Sequence, residues 1–296
     1  MSFKQNHNRS RNKNNSKPHH NKDATPVDET NPVIISFKEY ALELDDKHDR
    51  YERIVKLSRD TTIESKRIIF LLHTIDPVKN NKEKILLEAK TRLDNLISNK
   101  FFEVAKELEN RDPYQYMRAY CAGLQEFIEA YSYYEYLNES NLSDWNDLQA
   151  RMKFTFTIEP KEQAEGKDEG VEEAETKAPS EKVEKTVVCH VDPTEYILGL
   201  GDLTGELMRR CINSLGCGDT VTCQDSCKVL QNFYKGFLGL HGVRNREFGR
   251  KLYTLHQSVI KAEHVCYNVK VRGGEAARRG TMADDKPADD FDEGFF

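Results

Sequence analysis

A chain of 296 residues with 38% hydrophobic side chains has enough apolar material for a real core, and is not a disordered protein throughout. A net charge of −6 excludes a molecule-wide electrostatic glove for nucleic acid, so any such contact is local or comes from a partner. No apolar run approaches the ~20 residues needed to cross a bilayer. Seven cysteines, an odd number without a secretory signal, predict free thiols in a reducing compartment and a soluble protein with no membrane partner.

Residues 1–31 are rich in Asn, His, Lys and Arg and almost lack large apolar side chains, so a disordered basic tail is expected. Lys4, Arg9, Arg11, Lys13, Lys17 and Lys22 suit a nuclear-import signal, a loose RNA contact or plain solubilisation. From Val33 to about Ile75 the positions Phe37, Ala41, Leu44, His48, Tyr51 and Val55 alternate spacings of four and three, the stripe of one long amphipathic helix. Pro77 ends it, because the residue before proline is pushed out of the helical region. Near its end Lys66, Arg67 and His73 are candidates for phosphate contact or, as the plainer reading, for a solvated or salt-bridged face. A second helix spans about Lys82 to Glu109, with Leu86, Ala89, Leu93, Ile97, Phe101, Val104 and Leu108 in register.

Pro113 opens a third helix that runs to about Leu137, whose Tyr131, Tyr133, Tyr134 and Tyr136 read as core or interface. Ser143-Asp144 caps a short helix through Trp145 and Leu148, and Phe154, Phe156 and Ile158 alternate like a brief extended segment. Residues 160–185 are rich in Glu and Lys with little that is large and apolar, and read as a disordered acidic insertion. The halves on either side hold too few helices to bury their stripes separately, which predicts one domain over 32–273. Asp192, Pro193 and Glu195 mark a helix start with a capping-box pattern, and Gly216 is placed as its C-cap. Asp225 or Ser226 begins a helix through Phe237, and a last helix covers about Asn245 to Val269. An acidic disordered tail is expected over 274–296. The fold class is therefore all-α, about six or seven helices, several of them long.

Two features carry chemistry. Glu126 and Glu129 are the only charged residues in Ala119 to Tyr134, and Asp202 and Glu206 interrupt the greasy helix after Pro193. Each pair shares a helical face. Two carboxylates ~5 Å apart repel by roughly 3 kcal/mol at an effective dielectric near 20, so they need cations, shared protons or solvent. If the two helices face each other, the four acids make an all-oxygen cluster suited to Mg²⁺ or Mn²⁺, while ion pairs to residues such as Arg209 are the competing reading. Gly199-Leu-Gly201-Asp-Leu-Thr-Gly205 has the wrong spacing and context for a dinucleotide loop; its glycines thin the helix for a substrate or a neighbouring helix. Cys211, Cys217, Cys223 and Cys227 contain no C-x-x-C pair, which argues against structural zinc.

The stretches K-E-Y-A-L-E-L-D-D-K-H-D-R-Y-E-R-I-V-K-L-S-R-D-T-T-I-E-S-K-R-I-I-F-L-L-H, G-L-Q-E-F-I-E-A, D-L-T-G-E-L-M-R-R-C-I-N-S and K-L-Y-T-L-H-Q-S, in order along residues 33 to 273, resemble the translin family. That resemblance implies a translin-like helical bundle assembled with translin into a hetero-oligomeric shell, commonly an octamer, that handles single-stranded RNA and DNA. It implies a Mg²⁺-dependent endoribonuclease whose metal-holding acids are matched here by Glu126, Glu129, Asp202 and Glu206. The cellular roles implied are passenger-strand removal in RNA silencing and transfer-RNA processing, in cytoplasm and nucleus. Arg118 is the only charged residue from Tyr114 to Gln125 and the one candidate for nucleic-acid contact there, so RNA grip is expected mainly from the partner. The alternative is a non-catalytic structural partner of translin.

Overall fold

The computed structural model describes residues 29–76, 79–158, 183–240 and 242–272. In chain order they form α1 (Pro32–His73), α2 (Lys82–Asn95), a π turn (Leu96–Phe101), α3 (Phe102–Glu107), α4 (Pro113–Glu139), α5 (Trp145–Arg151), β1 (Lys153–Ile158), β2 (Val183–Val188), α6 (Pro193–Gly216), α7 (Thr220–Gly239) and α8 (Arg246–Arg272). The chain divides between His48 and Asp49 into two compact units. No helix is long and apolar enough to cross a membrane, among the described residues.

In the first unit the apolar residues of α1 face outward: Val33, Ile35, Phe37, Tyr40, Leu42 and Leu44 are all exposed. The stripe expected from Phe37 onward is thus a core stripe only in its continuation. In the second unit the buried face of α1 runs through Ile54, Ser58, Thr61, Ser65, Ile68, Ile69 and Leu72. Its small polar members let a neighbour come close. A Cβ added to Gly123 of α4 would stand 2.6 Å from the Ser58 carbonyl oxygen, and Ser58 Oγ accepts the Gly123 N–H at 3.1 Å.

The heptad-like stripe after Lys82 is buried throughout, from Leu86 to Leu108. The helix carrying it is interrupted by the π turn, so α2, the turn and α3 are one rod with a local bulge. α4 starts as its sequence dictates, with Asp112 accepting from Tyr114 N at 3.0 Å and Pro113 in the first turn, and stops where Ser140 adopts a left-handed φ of 55°. Tyr131 and Tyr133 are buried and Tyr134 and Tyr136 partly so, the core role their spacing predicted. Asp144 and Asp147 cap each other reciprocally at the start of α5.

Two boundaries differ from expectation. The extended segment after α5 is β1, and its antiparallel partner is β2, in the register Lys153 with Val188 through Ile158 with Val183. Val183, Glu184 and Lys185, placed by composition in the disordered insertion, are therefore strand residues; the rest of that insertion, residues 1–28 of the expected basic tail and the whole acidic tail lie outside the described residues. α7 begins at Thr220 rather than at Asp225, because Asp219 caps it by accepting from Thr222 N at 3.0 Å. Gly216 is the last helical residue of α6, and Gly218, with φ 78°, makes the turn.

The core is a layer of helices in which α6 packs against α4, α7 and α8, and α4 also meets α2. Glycine allows a close approach of α6 to α4. A Cβ on Gly199 of α6 would lie 2.7 Å from Ile128 Cβ on α4, so the two helices touch backbone to side chain there. That crossing brings the two acidic pairs to the same place.

Candidate active site

Glu126 and Glu129 on α4, and Asp202 and Glu206 on α6, line one open cleft of about 490 Å³, with Lys66, Ile69 and Phe70 from α1 and Lys251 and Thr254 from α8 on its walls. All four predicted acids are brought together. Arg118 is not: it sits eight residues before Glu126 on α4, exposed, and does not line the cleft.

Three of the four acids have cations beside them. Lys66 Nζ lies 2.9 Å from Glu126 Oε1, and the pairing holds the lysine's pKa above its usual value. Lys251 Nζ lies 2.6 Å from Asp202 Oδ2 and also donates to Gln125 Oε1 at 2.8 Å and to the Leu198 carbonyl at 3.0 Å. Its stem crosses Gly201, where an added Cβ would meet Lys251 Cδ at 3.1 Å, so the glycine clears the lysine's path. Glu206 pairs with His73 Nε2 and, at 3.5 Å, with Arg209 Nη2. If the imidazole Nε2–H donates to the carboxylate, Nδ1 is left to accept from Tyr133 OH, 3.3 Å away, so the tyrosine fixes the ring that holds Glu206.

Glu129 is the exception. It is buried, and its carboxyl makes no hydrogen bond or ion pair with another described residue. Burial first, then the charges of Asp202, Glu206 and Glu126, pushes its pKa up to about 8. Burial raises Asp202 as well, against the pull of Lys251. Lys251 acts on Glu129 only at a distance, so this buried carboxyl has no direct ion pair.

That deficit, with four hard oxygen donors, fits Mg²⁺ or Mn²⁺. Among the described residues no three of these acids bring oxygen atoms all within 4.8 Å of one another, so the protein builds no closed cage. Mg²⁺ rarely needs one: it keeps several waters and takes one or two carboxylates together with substrate phosphate.

Nearby, the expected capping box at the start of α6 is half made. Asp192 accepts from Thr194 N at 2.7 Å, but Glu195 turns away to accept from Gln125 Nε2 at 2.5 Å. Gln125 therefore joins Glu195 to Lys251 and the cleft. The glycines of α6 split the two roles foreseen for them: Gly199 serves helix packing, whereas nothing lies within 4 Å of a Cβ at Gly205, on the open side of the cleft.

Residues 49–273 match the Translin family. The chain belongs to the translin family. It is 41% identical to translin-associated protein X of Pongo abelii, over 87% of this chain and 86% of that protein. To translin-associated protein X of Mus musculus it is 43% identical, over 83% and 81%. Among solved structures it is similar to AfC3PO, with a TM-score of 0.56, 17% identity and coverage of 80% of this chain and 98% of that one. The complex of AfC3PO with duplex RNA gives a TM-score of 0.52 at 14% identity, over 84% and 100%. The all-α, translin-like fold expected from the sequence is the fold observed.

For this family member the acids were legible and their partners were not. Lys66 and His73 read most plainly as part of a solvated or salt-bridged face; what the sequence concealed is that Lys66 pairs with Glu126 and His73 with Glu206. Lys251, though it opens one of the family-like stretches, gave no sign of a place in the site, since its partners Asp202 and Gln125 are 49 and 126 residues away.

Proposed function

We propose that this chain is the Mg²⁺-dependent endoribonuclease subunit of a complex with translin, cleaving single-stranded RNA. The observation that supports it best is Glu129, a buried carboxyl without a direct ion pair, among three further acids in one solvent-open cleft. Glu126, Glu129, Asp202 and Glu206 would hold the metal. When bound, Mg²⁺ supplies Lewis acidity at a phosphoryl oxygen and acidifies a bound water. The chain's own residues do the rest. His73 and Tyr133 orient Glu206, Lys251 orients Asp202, and Arg209, half-exposed at the rim, offers a guanidinium to a phosphate. Phe70 is 66% exposed on the cleft wall and presents a flat face on which a base can stack. A water nucleophile leaves 3′-hydroxyl and 5′-phosphate ends; 2′,3′-cyclic phosphate ends would sink that route.

The partner and the cellular setting belong to the same proposal: a hetero-oligomer with translin, commonly an octamer, binding single-stranded RNA and DNA, and acting in passenger-strand removal and transfer-RNA processing in cytoplasm and nucleus. The similarity to translin-associated protein X supports the partner, and the duplex RNA held by AfC3PO supports RNA as the ligand.

A second reading is favoured by the ion pairs. Lys66 with Glu126, Lys251 with Asp202, and His73 and Arg209 with Glu206 also make sense as the fastenings of a non-catalytic subunit that completes translin's shell. One experiment separates the two. The chain is co-purified with translin and assayed on labelled single-stranded RNA with Mg²⁺, with EDTA, and as Glu126→Ala and Asp202→Ala at matched assembly. Cleavage lost on chelation and in both variants, with the complex intact, supports the nuclease. Cleavage that survives both variants, or variants that no longer assemble, supports the scaffold.

A further inference from the structure

A second cluster of ionisable side chains lies further along α6, away from the acids. Cys211 on α6, Cys223 on α7 and Cys266 on α8 converge, with Cys211 Sγ and Cys266 Sγ each 3.5 Å from Cys223 Sγ and all three sulfurs within 4.8 Å of one another. Cys227, one turn after Cys223 on α7, is a neighbour of Cys266 but lies outside that 4.8 Å group. Cys211, Cys223 and Cys227 are buried and Cys266 is partly exposed, whereas Cys217 is exposed and takes no part. The sequence grouped Cys217 with the others and omitted Cys266, since helix packing rather than spacing decides membership.

We propose that Cys211, Cys223, Cys227 and Cys266 form a structural zinc site that ties α6 to α7 and α8. The separations carry the argument. Four thiolates at Zn–S ≈ 2.3 Å in a tetrahedron have S···S edges of about 3.8 Å. The two 3.5 Å contacts are close to that edge, so three of the four thiols already stand near tetrahedral spacing, and Cys227 has to turn inward to complete the shell. A disulfide instead needs an S–S bond of about 2.05 Å and joins one pair, whereas Cys223 Sγ stands 3.5 Å from two sulfurs at once. Soft sulfur donors without a carboxylate select Zn²⁺ over the Mg²⁺ suited to the cleft. Binding forms four S–Zn bonds and releases four protons to solvent. Without metal, the cluster holds neutral thiols: burial raises all of Cys211, Cys227 and Cys266, the last two to about 12 and about 11. Cys211 Sγ then donates to the Cys223 carbonyl at 3.4 Å.

The full-length chain, co-expressed with its partner in zinc-supplemented medium and purified under reducing, oxygen-free conditions with a brief EDTA wash, is assayed for zinc by elemental mass spectrometry. One zinc per chain is expected in the wild type and in Cys217→Ser, and none in Cys223→Ser. Cobalt substitution of the wild type should give the thiolate-to-metal charge-transfer and tetrahedral d–d bands. Should Cys223→Ser fail to fold, alkylation of the wild type decides: zinc should protect Cys211, Cys227 and Cys266, and leave Cys217 reactive. Absence of retained zinc in the reduced wild type, zinc retained equally by a folded Cys223→Ser, or alkylation unchanged by zinc would each overturn the proposal. Zinc content is read independently of RNA cleavage, so failure here and failure of the nuclease reading are distinct outcomes.

Discussion

Glu206 and Cys211 stand five residues apart on α6, one in a solvent-open cleft and the other in a dry seam between helices. Both belong to crowds of like groups removed in part from water, and the crowds are settled differently. In the cleft, Lys66, Lys251, His73 and Arg209 sit beside three acids, and Glu129, without a direct partner, has its pKa raised to about 8. In the seam no basic side chain is among the causes that shift the thiols, and neutrality comes from the protons alone. The difference is one of hardness and access: oxygen donors with charge already present and water at hand suit an exchangeable hard cation, and sulfur donors shut from water suit a permanent soft one.

The largest effect that would test this contrast is on chemistry. Glu129→Gln keeps the shape of the side chain and removes its charge. In the complex, cleavage of single-stranded RNA should fall roughly 1,000-fold, in the range found for loss of one preorganised electrostatic group, with assembly unchanged. The same variant tests the proton. With a folded pKa of about 8 against an ordinary 4.5, Glu129 keeps its proton in the folded chain where the unfolded chain has lost it. Its contribution to stability is full below about pH 4.5 and is lost as pH rises to about 8. In EDTA the melting temperature of the wild type should therefore drop more between pH 5 and 8 than that of Glu129→Gln, and Mg²⁺ should recover the wild type at pH 8. Parallel curves for the two proteins would show that Glu129 carries no such burden.

A smaller effect is expected from Lys251→Met. It leaves Asp202, Gln125 Oε1 and the Leu198 carbonyl without their shared donor, a cost of about 2–3 kcal/mol, or roughly 5–10 °C in melting temperature. Because metal can replace the lost charge, added Mg²⁺ should restore part of it. No recovery with Mg²⁺ would separate Asp202 from the metal-holding set.

Smallest of all is the glycine pair. Gly199→Ala drives a methyl to 2.7 Å from Ile128 Cβ and should destabilise by about 1–3 kcal/mol. Gly205→Ala meets nothing within 4 Å and should stabilise α6 by up to about 1 kcal/mol. If Gly205 lies along the RNA path, the same methyl should raise KM while kcat holds. Equal melting temperatures for the two variants would deny that the helix is tight on one side and open on the other.

The parts of this molecule that could be read from its sequence are those where the signal is local. The stripe from Leu86 to Leu108 repeats along one rod, and it is core. The pairs Glu126 with Glu129 and Asp202 with Glu206 are each set by helical spacing, and α4 and α6 bring them to one cleft. Signals that depend on distant residues were hidden. β2 reads as the end of a Glu and Lys run because only its partner, β1, makes a strand of it. The outward face of α1 from Val33 to Leu44 has the same periodicity as a buried stripe, and periodicity alone does not say what covers a face. Cys266 joined its cluster from 43 residues beyond Cys223.

The strand pair has a practical corollary. Because Ile158 and Val183 are register partners, the chain departs and returns at neighbouring points, and the ends of whatever lies between are already held together. Loop-closure cost grows by only about 0.6 kcal/mol per doubling of length, so this is a port where sequence can be lengthened, trimmed or exchanged with little disturbance to the helices. A fluorescent domain spliced in there would report on assembly in living cells while leaving both the acids and the thiols of α6 as they are.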